Sequence, residues 1–300
     1  MRAIPDTFDP EVVERIDERL DGVESAHGVN IPWAIESGSR AWGFPSPDSD
    51  YDCRFFYVRS EDAYLTPWLP RDVIETPLDA VYDVNGWDVR KAVELLARGN
   101  AVAVEWLRSP HVYRGDPAFR ADLIALADDI ADRSAIGRHY THVCQGQWER
   151  YGREPEMPLK RLFYSLRPAA CVRWLEAHPG AATPPMELRV LLEQSGAHPT
   201  VVRLVDELVD LKLRTREIGT GSVPSELKAY VEGALEQGLV MFGVADPDGP
   251  SDVRARAGDA FRQLVRAYGP PSWATAVATD PEAFRLPGRP ICREIRDARD

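Results

Sequence analysis

The sequence predicts an α+β protein: an N-terminal module of mixed strands and helices over residues 1–115, then an all-helical domain over 116–270 and a Pro-rich tail over 271–300. Two observations carry this. Up to Pro110, short runs rich in β-branched and aromatic residues alternate with helical patterns. From about residue 116 only helical patterns recur, and the loops between them carry Pro and Gly. A chain of 300 residues can bury one large or two modest cores, and 44% hydrophobic with 28% charged residues is the composition of a soluble globular protein.

The elements follow in order. Residues 9–26 set Val12, Val13, Ile16, Leu20 and Val23 at helical spacing behind the start signal Asp9-Pro10. VNIPWAIESG (29–38) reads as a short buried strand running into a turn, and SRAWG as a short helical turn. DYDCRFFYV (50–58) reads as a second strand. Residues 59–77, with three prolines, read as a loop, and LDAVYDVNGW (78–87) as a third strand with Asp79 in a turn. Asp88 is placed to cap the amphipathic helix DVRKAVELLARG, which Gly99 ends; AVAVEWLRSP forms a short helix stopped by Pro110. Helical patterns then cover 116–131, 134–152, 158–178, 185–195, 199–217 and 224–242. There is no internal repeat, and the tail (GPPSW, LPGRP) reads as a surface wrap.

Charge and cysteine usage narrow the function classes. The formal net charge of −12 disfavours a long nucleic-acid footprint and suits a small or end-bound substrate. No apolar run reaches the length of a membrane span, and the N-terminus shows no apolar signal core. Cys53, Cys144, Cys171 and Cys292 are scattered without a CxxC pair. The expectation is a cytoplasmic protein with reduced thiols.

The chemistry concentrates in residues 37–52, SGSRAWGFPSPDSDYD. In a strand, residues two apart share a face, so Asp50 and Asp52 project side by side. Two carboxylates so close repel each other, and a divalent cation removes the penalty. Mg²⁺ favours carboxylate oxygens together with substrate phosphates. Gly38-Ser39 closes the preceding strand, where a glycine lets backbone approach a phosphate and Ser39 offers a hydroxyl. A third carboxylate is expected from the third strand, with Asp83 and Asp88 as candidates. Asp88 stands where a helix needs a cap, whereas Asp83 lies inside an apolar strand and is favoured.

GSRAWGFPSPDSDYDCRFFYV resembles the signature of the DNA polymerase β-like nucleotidyltransferase superfamily: GS, a glycine shortly after, DxD, then a later acidic residue. DVNGWDVRKAVELLARGNAVAVEWLRSPHVY and PLKRLFYSLRPAACVRWL resemble more closely its branch of predicted bacterial and phage nucleotidyltransferases, which includes the RNA-ligase-associated, RNA-repair type. The resemblance spans residues 28–190. It implies a small mixed sheet backed by helices, two Mg²⁺ ions (or Mn²⁺), an NTP donor and transfer of a nucleoside monophosphate. The motif is intact at Gly38, Ser39, Asp50 and Asp52. Gly99-Asn100-Ala101 stands where family members often have GNP.

Other positions add detail. Lys160, Tyr164 and Arg167 fall on one helix face and could hold the triphosphate and stack the base, with Pro168 kinking the helix there. Arg40, in the turn, and Arg54, just past the DxD, are further phosphate candidates. Lys91 and Arg90 open a helix, where cations oppose the dipole, so a tertiary partner is expected for Lys91. His139, His142 and Cys144 lack a fourth ligand at useful spacing for zinc and read as ordinary helix residues. Asn100 and Glu105 read as fixing an interhelical loop, and Trp87, Trp106, Trp148 and Trp174 as core.

The expected activity is Mg²⁺-dependent nucleotidyl transfer, with Asp50, Asp52 and Asp83 holding metals, and Gly38, Ser39, Arg40, Lys160, Tyr164 and Arg167 holding the donor. The alternative is a catalytically weak nucleotide-binding regulatory or partner-binding protein of the same fold. A phosphohydrolase would want more His or Asp ligands than the sequence offers. The acceptor stays open among an RNA end, a protein side chain and a small molecule.

Overall fold

A computed structural model describes residues 1–78, 81–152, 154–215, 219–243 and 252–271; Asp79 and the tail beyond 271 lie outside the described residues. Helix α1 (Pro10–His27) begins and ends as its sequence signals require. The Asp9 carboxylate accepts from the Glu11 N–H, Pro10 takes the first position, and Gly28 at φ 58° closes the helix. Its stripe of Val13, Ile16, Leu20 and Val23 is buried, each large apolar side chain contributing roughly 1.5–3 kcal/mol when fully covered.

The sheet contains β1 (Val29–Glu36), β2 (Tyr51–Arg59), β3 (Val73–Glu75), β4 (Tyr82–Asp88) and β5 (Val112–Gly115), in the order β3-β4-β2-β1-β5. Strands β2 and β4 run parallel; the other neighbours are antiparallel, so the sheet is mixed. The two edge strands were not visible in the sequence. With 3 and 4 residues they are too short to show alternation, and β3 sits in the stretch that reads as loop. Hydrogen bonding to a central strand is what makes them strands.

The helices are α2 (Gly38–Ala41), α3 (Val89–Ala97), α4 (Ala101–Arg108), α5 (Pro117–Ile130), α6 (Arg133–Tyr151), α7 (Leu159–Ala177), α8 (Leu188–Gln194), α9 (Pro199–Arg214), α10 (Ser225–Phe242) and α11 (Val253–Tyr268). A two-residue ladder, β6 (Met157–Pro158) with β7 (Thr220–Gly221), ties the start of α7 to the loop after α9. Asp88 caps α3 and Asn100 caps α4 through their side-chain oxygens. Helix α11 was absent from the sequence expectation, because only Ala257, Leu264 and Val265 are buried among its many arginines. It packs back on the first module: the Asn30 amide donates to the Tyr268 carbonyl (2.8 Å), and Phe261 meets Tyr64 edge-on at 5.1 Å.

Side-chain parity along β2 organises the core. Cys53, Phe55 and Tyr57 join Ile16, Leu20 and Val84 on the α1 face. Phe56 and Val58 face the other way, into a cluster that includes Trp33, Trp106, Phe119, Leu166 and Phe242. That second core is continuous from the sheet into the helices of residues 116–270. Asp50, Asp52 and Arg54 share the parity of Phe56, so they stand on the sheet face that looks toward the helical region. Trp106, Trp148 and Trp174 are buried, and Trp87 stacks on Trp106 at 3.8 Å.

Candidate active site

The Gly-Ser turn lies against the carboxylates. Gly38 has φ 58°, and a Cβ built on it would come within 2.0 Å of Asp52 Oδ2. Only glycine allows both this backbone conformation and this approach. The Ser37 N–H donates to the Asp52 carbonyl (2.8 Å), so the end of β1 and the start of β2 are stitched together at this point. Ser39 Oγ donates to Ser49 Oγ (3.0 Å) across the loop that leads to Asp50.

Arg40 braces that loop. Its Nη2 donates to the Ser49 carbonyl (2.7 Å), its Nε to the Asp50 carbonyl (3.1 Å), and its guanidinium lies 3.8 Å over the Tyr51 ring. The guanidinium expected to hold phosphate is thus engaged by the loop backbone through Nε and Nη2.

Asp52 and Asp83 are register partners on parallel β2 and β4. Arg54, two residues along the same face, bridges them: Nη2 lies 2.9 Å from Asp52 Oδ1 and 2.6 Å from Asp83 Oδ2. Its Nη1 donates to the Asp83 carbonyl (2.6 Å), and the Asn85 amide donates to the other Asp83 oxygen. Asp50 is exposed at the mouth of the strand. Burial holds the Asp52 carboxyl above its ordinary range; Arg54 opposes this, while Asp50 and Asp83 push the same way as burial.

Asp83 and Asp88 stand at different ends of β4. Asp88 lies five residues on at the far end of β4, nearly fully buried. It caps α3 through the Arg90 N–H and is held by Tyr64 (2.9 Å) and Arg59 (3.2 Å). Asp83 is the one beside Asp52.

Three residues below and opposite these carboxylates matter. Glu36 ends β1 fully buried: Oε1 accepts the Asp52 N–H (3.1 Å) and Oε2 the Tyr113 hydroxyl (2.6 Å). Burial pushes its carboxyl up to about 8. It fixes the backbone of Asp52 from beneath, and a glutamate closing the apolar run IPWAIE was the signal that could have found it. Tyr164 on α7 packs edge-on against Trp42 (6.1 Å), and burial raises its hydroxyl, with Arg161 opposing and Asp52 and Asp50 adding to the rise. Lys160 is exposed one turn earlier on α7.

Arg167 is corrected. It is buried, donates to Glu105 Oε1 (2.9 Å) and the Met186 carbonyl (3.0 Å), and stacks 4.8 Å over Trp42. Glu105 also accepts from the Tyr140 hydroxyl (2.8 Å), so the residue expected to fix a loop instead anchors a buried polar centre. One Arg167 nitrogen, Nη2, has no partner among the described residues. Helix α7 runs through Pro168. Lys91 finds its partner in Asp72 (3.3 Å).

Besides Glu36, the sequence does not reveal Lys212, near the end of α9. It is 2% exposed, and its ammonium donates to the Phe44 carbonyl (2.5 Å) between the Phe44 and Phe163 rings. Its neighbours in charge are Lys160 and Asp48. A lysine inside an amphipathic helix reads as a solvated residue, and only folding reveals that it turns inward. Among the described residues no three of His, Cys, Asp and Glu converge as a ready-made metal cage, His139, His142 and Cys144 included. The hard oxygen donors of Asp50 and Asp52 instead suit an ion that arrives with phosphate oxygens of its own.

A family model described as "RlaP: RNA repair pathway DNA polymerase beta family" matches residues 12–255. A relative from Bacillus subtilis (strain 168), an uncharacterized protein called YcgL, is 34% identical over 224 residues, covering 75% of this chain and 85% of that protein.

Proposed function

The chain belongs to the RlaP family of RNA-repair-pathway, DNA polymerase β-like proteins, a nucleotidyltransferase type of fold, and on that premise we propose that it is a Mg²⁺-dependent nucleotidyltransferase. It moves a nucleoside monophosphate from an NTP to a hydroxyl or phosphate acceptor, and the family's description favours an RNA end as acceptor and a place in RNA repair. The observation that carries the reading is the contact of the Gly38 turn with Asp52, which brings a phosphate-accommodating backbone and a carboxylate to one point.

Asp50 and Asp52 would hold the divalent ions, with Asp83 completing the set; bound there, Mg²⁺ or Mn²⁺ supplies Lewis-acid stabilisation of charge on the reacting phosphorus and favours the ionised acceptor. The protein does the rest by position. Glu36 and the Ser37 N–H hold the Asp52 backbone at both sides, and Arg54 keeps Asp52 and Asp83 together until the ligands load. Ser39 and the adjoining backbone receive donor phosphates, and Tyr164 and Lys160 close the cleft from α7. In the transfer, the acceptor oxygen forms a bond to the α-phosphorus, the bond to the bridging oxygen breaks, pyrophosphate departs with that electron pair, and the acceptor's proton is lost to solvent.

A second reading is favoured by one observation: the Arg54 bridge balances Asp52 and Asp83 without a metal, as a nucleotide-binding protein with little turnover would require. The deciding experiment incubates the protein with each α-³²P-labelled NTP, Mg²⁺ or Mn²⁺ and pooled RNA, and resolves products before and after nuclease or protease. Nuclease-sensitive label that disappears in Asp50→Ala and Asp52→Ala, with both variants folded, is the expected result. Full transfer by either variant refutes the assignment. No label with nucleotide binding intact favours the second reading.

A further inference from the structure

We propose that the cleft bounded by the end of α4, helix α5, the start of α6 and the loop after α7 is a second ligand site, where Arg108, Arg120 and Arg133 hold the phosphate group of a phosphate ester. None of its lining residues belongs to the Gly38–Asp52 site, and the assignment does not depend on the transfer reading.

Carboxylates are plentiful in this chain, with 48 acidic against 36 basic residues. Arg114 takes Asp21 and Glu24, and Arg256 takes Asp129. Arg108, Arg120 and Arg133 line one cleft of about 910 Å³. None of the three has a carboxylate within ion-pair distance among the described residues. Their partners in the protein are neutral. Arg108 Nη2 donates to the Thr183 hydroxyl (2.6 Å), Arg120 Nε to the Leu107 carbonyl (2.9 Å) and Arg133 Nε to the Ala181 carbonyl (3.2 Å). Arg133 Nη2 donates to the Leu175 carbonyl. A guanidinium offers five N–H donors, so most of those on these three are left over. The buried Nε of Arg108 has no acceptor among the described residues.

Part of this arrangement is structural. Leu107 and Leu175 stand in the last turns of α4 and α7, where a cation satisfies open carbonyls. Two helix ends do not require three guanidiniums in one cleft, and like charges gathered there repel. Burial, then Arg108, hold the Arg120 guanidinium below its ordinary value. Asp128 lines the same cleft but is exposed and lies beyond ion-pair distance of all three.

The missing partner has the chemistry of an oxyanion. Guanidinium forks bond phosphate oxygens in pairs, and such charge-assisted bonds are stronger than neutral ones. The volume is that of a small-molecule site. Trp174, Pro185 and Val190 add apolar surface to the lining, which suits the organic part of an ester. The carrier of the phosphate is a small ester or the end of an RNA strand, since a net charge of −12 disfavours a long one.

The test is equilibrium binding in EDTA at constant ionic strength, with hydrogen exchange to locate the ligand. The probes are inorganic phosphate, phenyl phosphate and a short 5′-phosphorylated oligoribonucleotide. Phosphate and phenyl phosphate are expected to bind, the ester more tightly, and to slow exchange at residues 180–183 and not at 38–52. Arg108→Gln, which keeps a donor for the Thr183 hydroxyl, should weaken both by roughly tenfold or more. Ala182→Asp places a carboxylate in the lining and leaves all three arginines in place, and it should weaken phosphate as strongly. An oligoribonucleotide that binds more tightly than phenyl phosphate, with the same dependence on Arg108, makes an RNA end the carrier. Equal or weaker binding makes it a small ester, and either result supports the site. Unchanged affinity in both variants overturns it, as does protection confined to residues 38–52. Transfer is read separately in the Asp50 and Asp52 variants, so failure of that reading leaves this site standing.

Discussion

Arg167 and Lys212 are two cations buried in the helical region, and they differ in one respect. Arg167 has an anion: Glu105 pairs with it at 2.9 Å, and Tyr140 completes the group. Lys212 has a carbonyl and two aromatic faces. The first ties α7 to α4 and stacks on Trp42 behind the Gly-Ser turn. The second has no carboxylate within ion-pair distance among the described residues, and Asp48 is the one negative group that acts on it. Spacing on a helix selects residues for a face, but the partner folded beside each decides whether its charge is structural or available.

The sharpest way to break this contrast is to remove one partner of the finished pair. Arg167→Met leaves Glu105 buried without its counter-charge, and denaturant unfolding should show a loss of about 3–5 kcal/mol. Stability unchanged within error would mean that the pair is not the anchor described. Next in size is the double variant Glu105→Leu/Arg167→Met. Replacing both charges should recover much of the loss, leaving about 1–3 kcal/mol for the Tyr140 hydroxyl, which then lacks its acceptor. A double variant as unstable as the sum of the singles would argue against direct coupling.

The smallest expected effect is the pH response of Lys212. Its folded value of about 8 lies below the ordinary lysine value near 10.4. Between these values the unfolded chain binds more protons, so folding stability from this group rises with pH from about 8 to 10.4 and is flat below 8. Ligand-free wild type should therefore gain on Lys212→Met in thermal melts across that window. A constant difference from pH 7 to 10 would show that the ammonium is already compensated.

Much of the site was legible because its chemistry is local. Gly38, Ser39, Asp50 and Asp52 lie within one strand-turn-strand unit, and two-residue alternation alone puts the two carboxylates on one face. Asp88 announced itself as a cap by standing ahead of an amphipathic helix. Legibility ended where a partner is distant in sequence. Glu36 meets Asp52 and Tyr113 across three strands, and Arg167 meets Glu105 across 62 residues. Strands β3 and β5 exist only because β4 and β1 offer them hydrogen bonds.

By itself, then, the sequence determined the α+β class, the main helices and central strands, and the carboxylate motif with its glycine turn, since each follows from periodicity or from contacts within a few residues. The tertiary structure decided that Asp83 and not Asp88 stands beside Asp52, that Arg40 and Arg167 are braces, that α11 returns to the first module, and that Lys212 turns inward. Each of these depends on which distant group compensates a charge or accepts a hydrogen bond, and a buried charge takes its role from that partner.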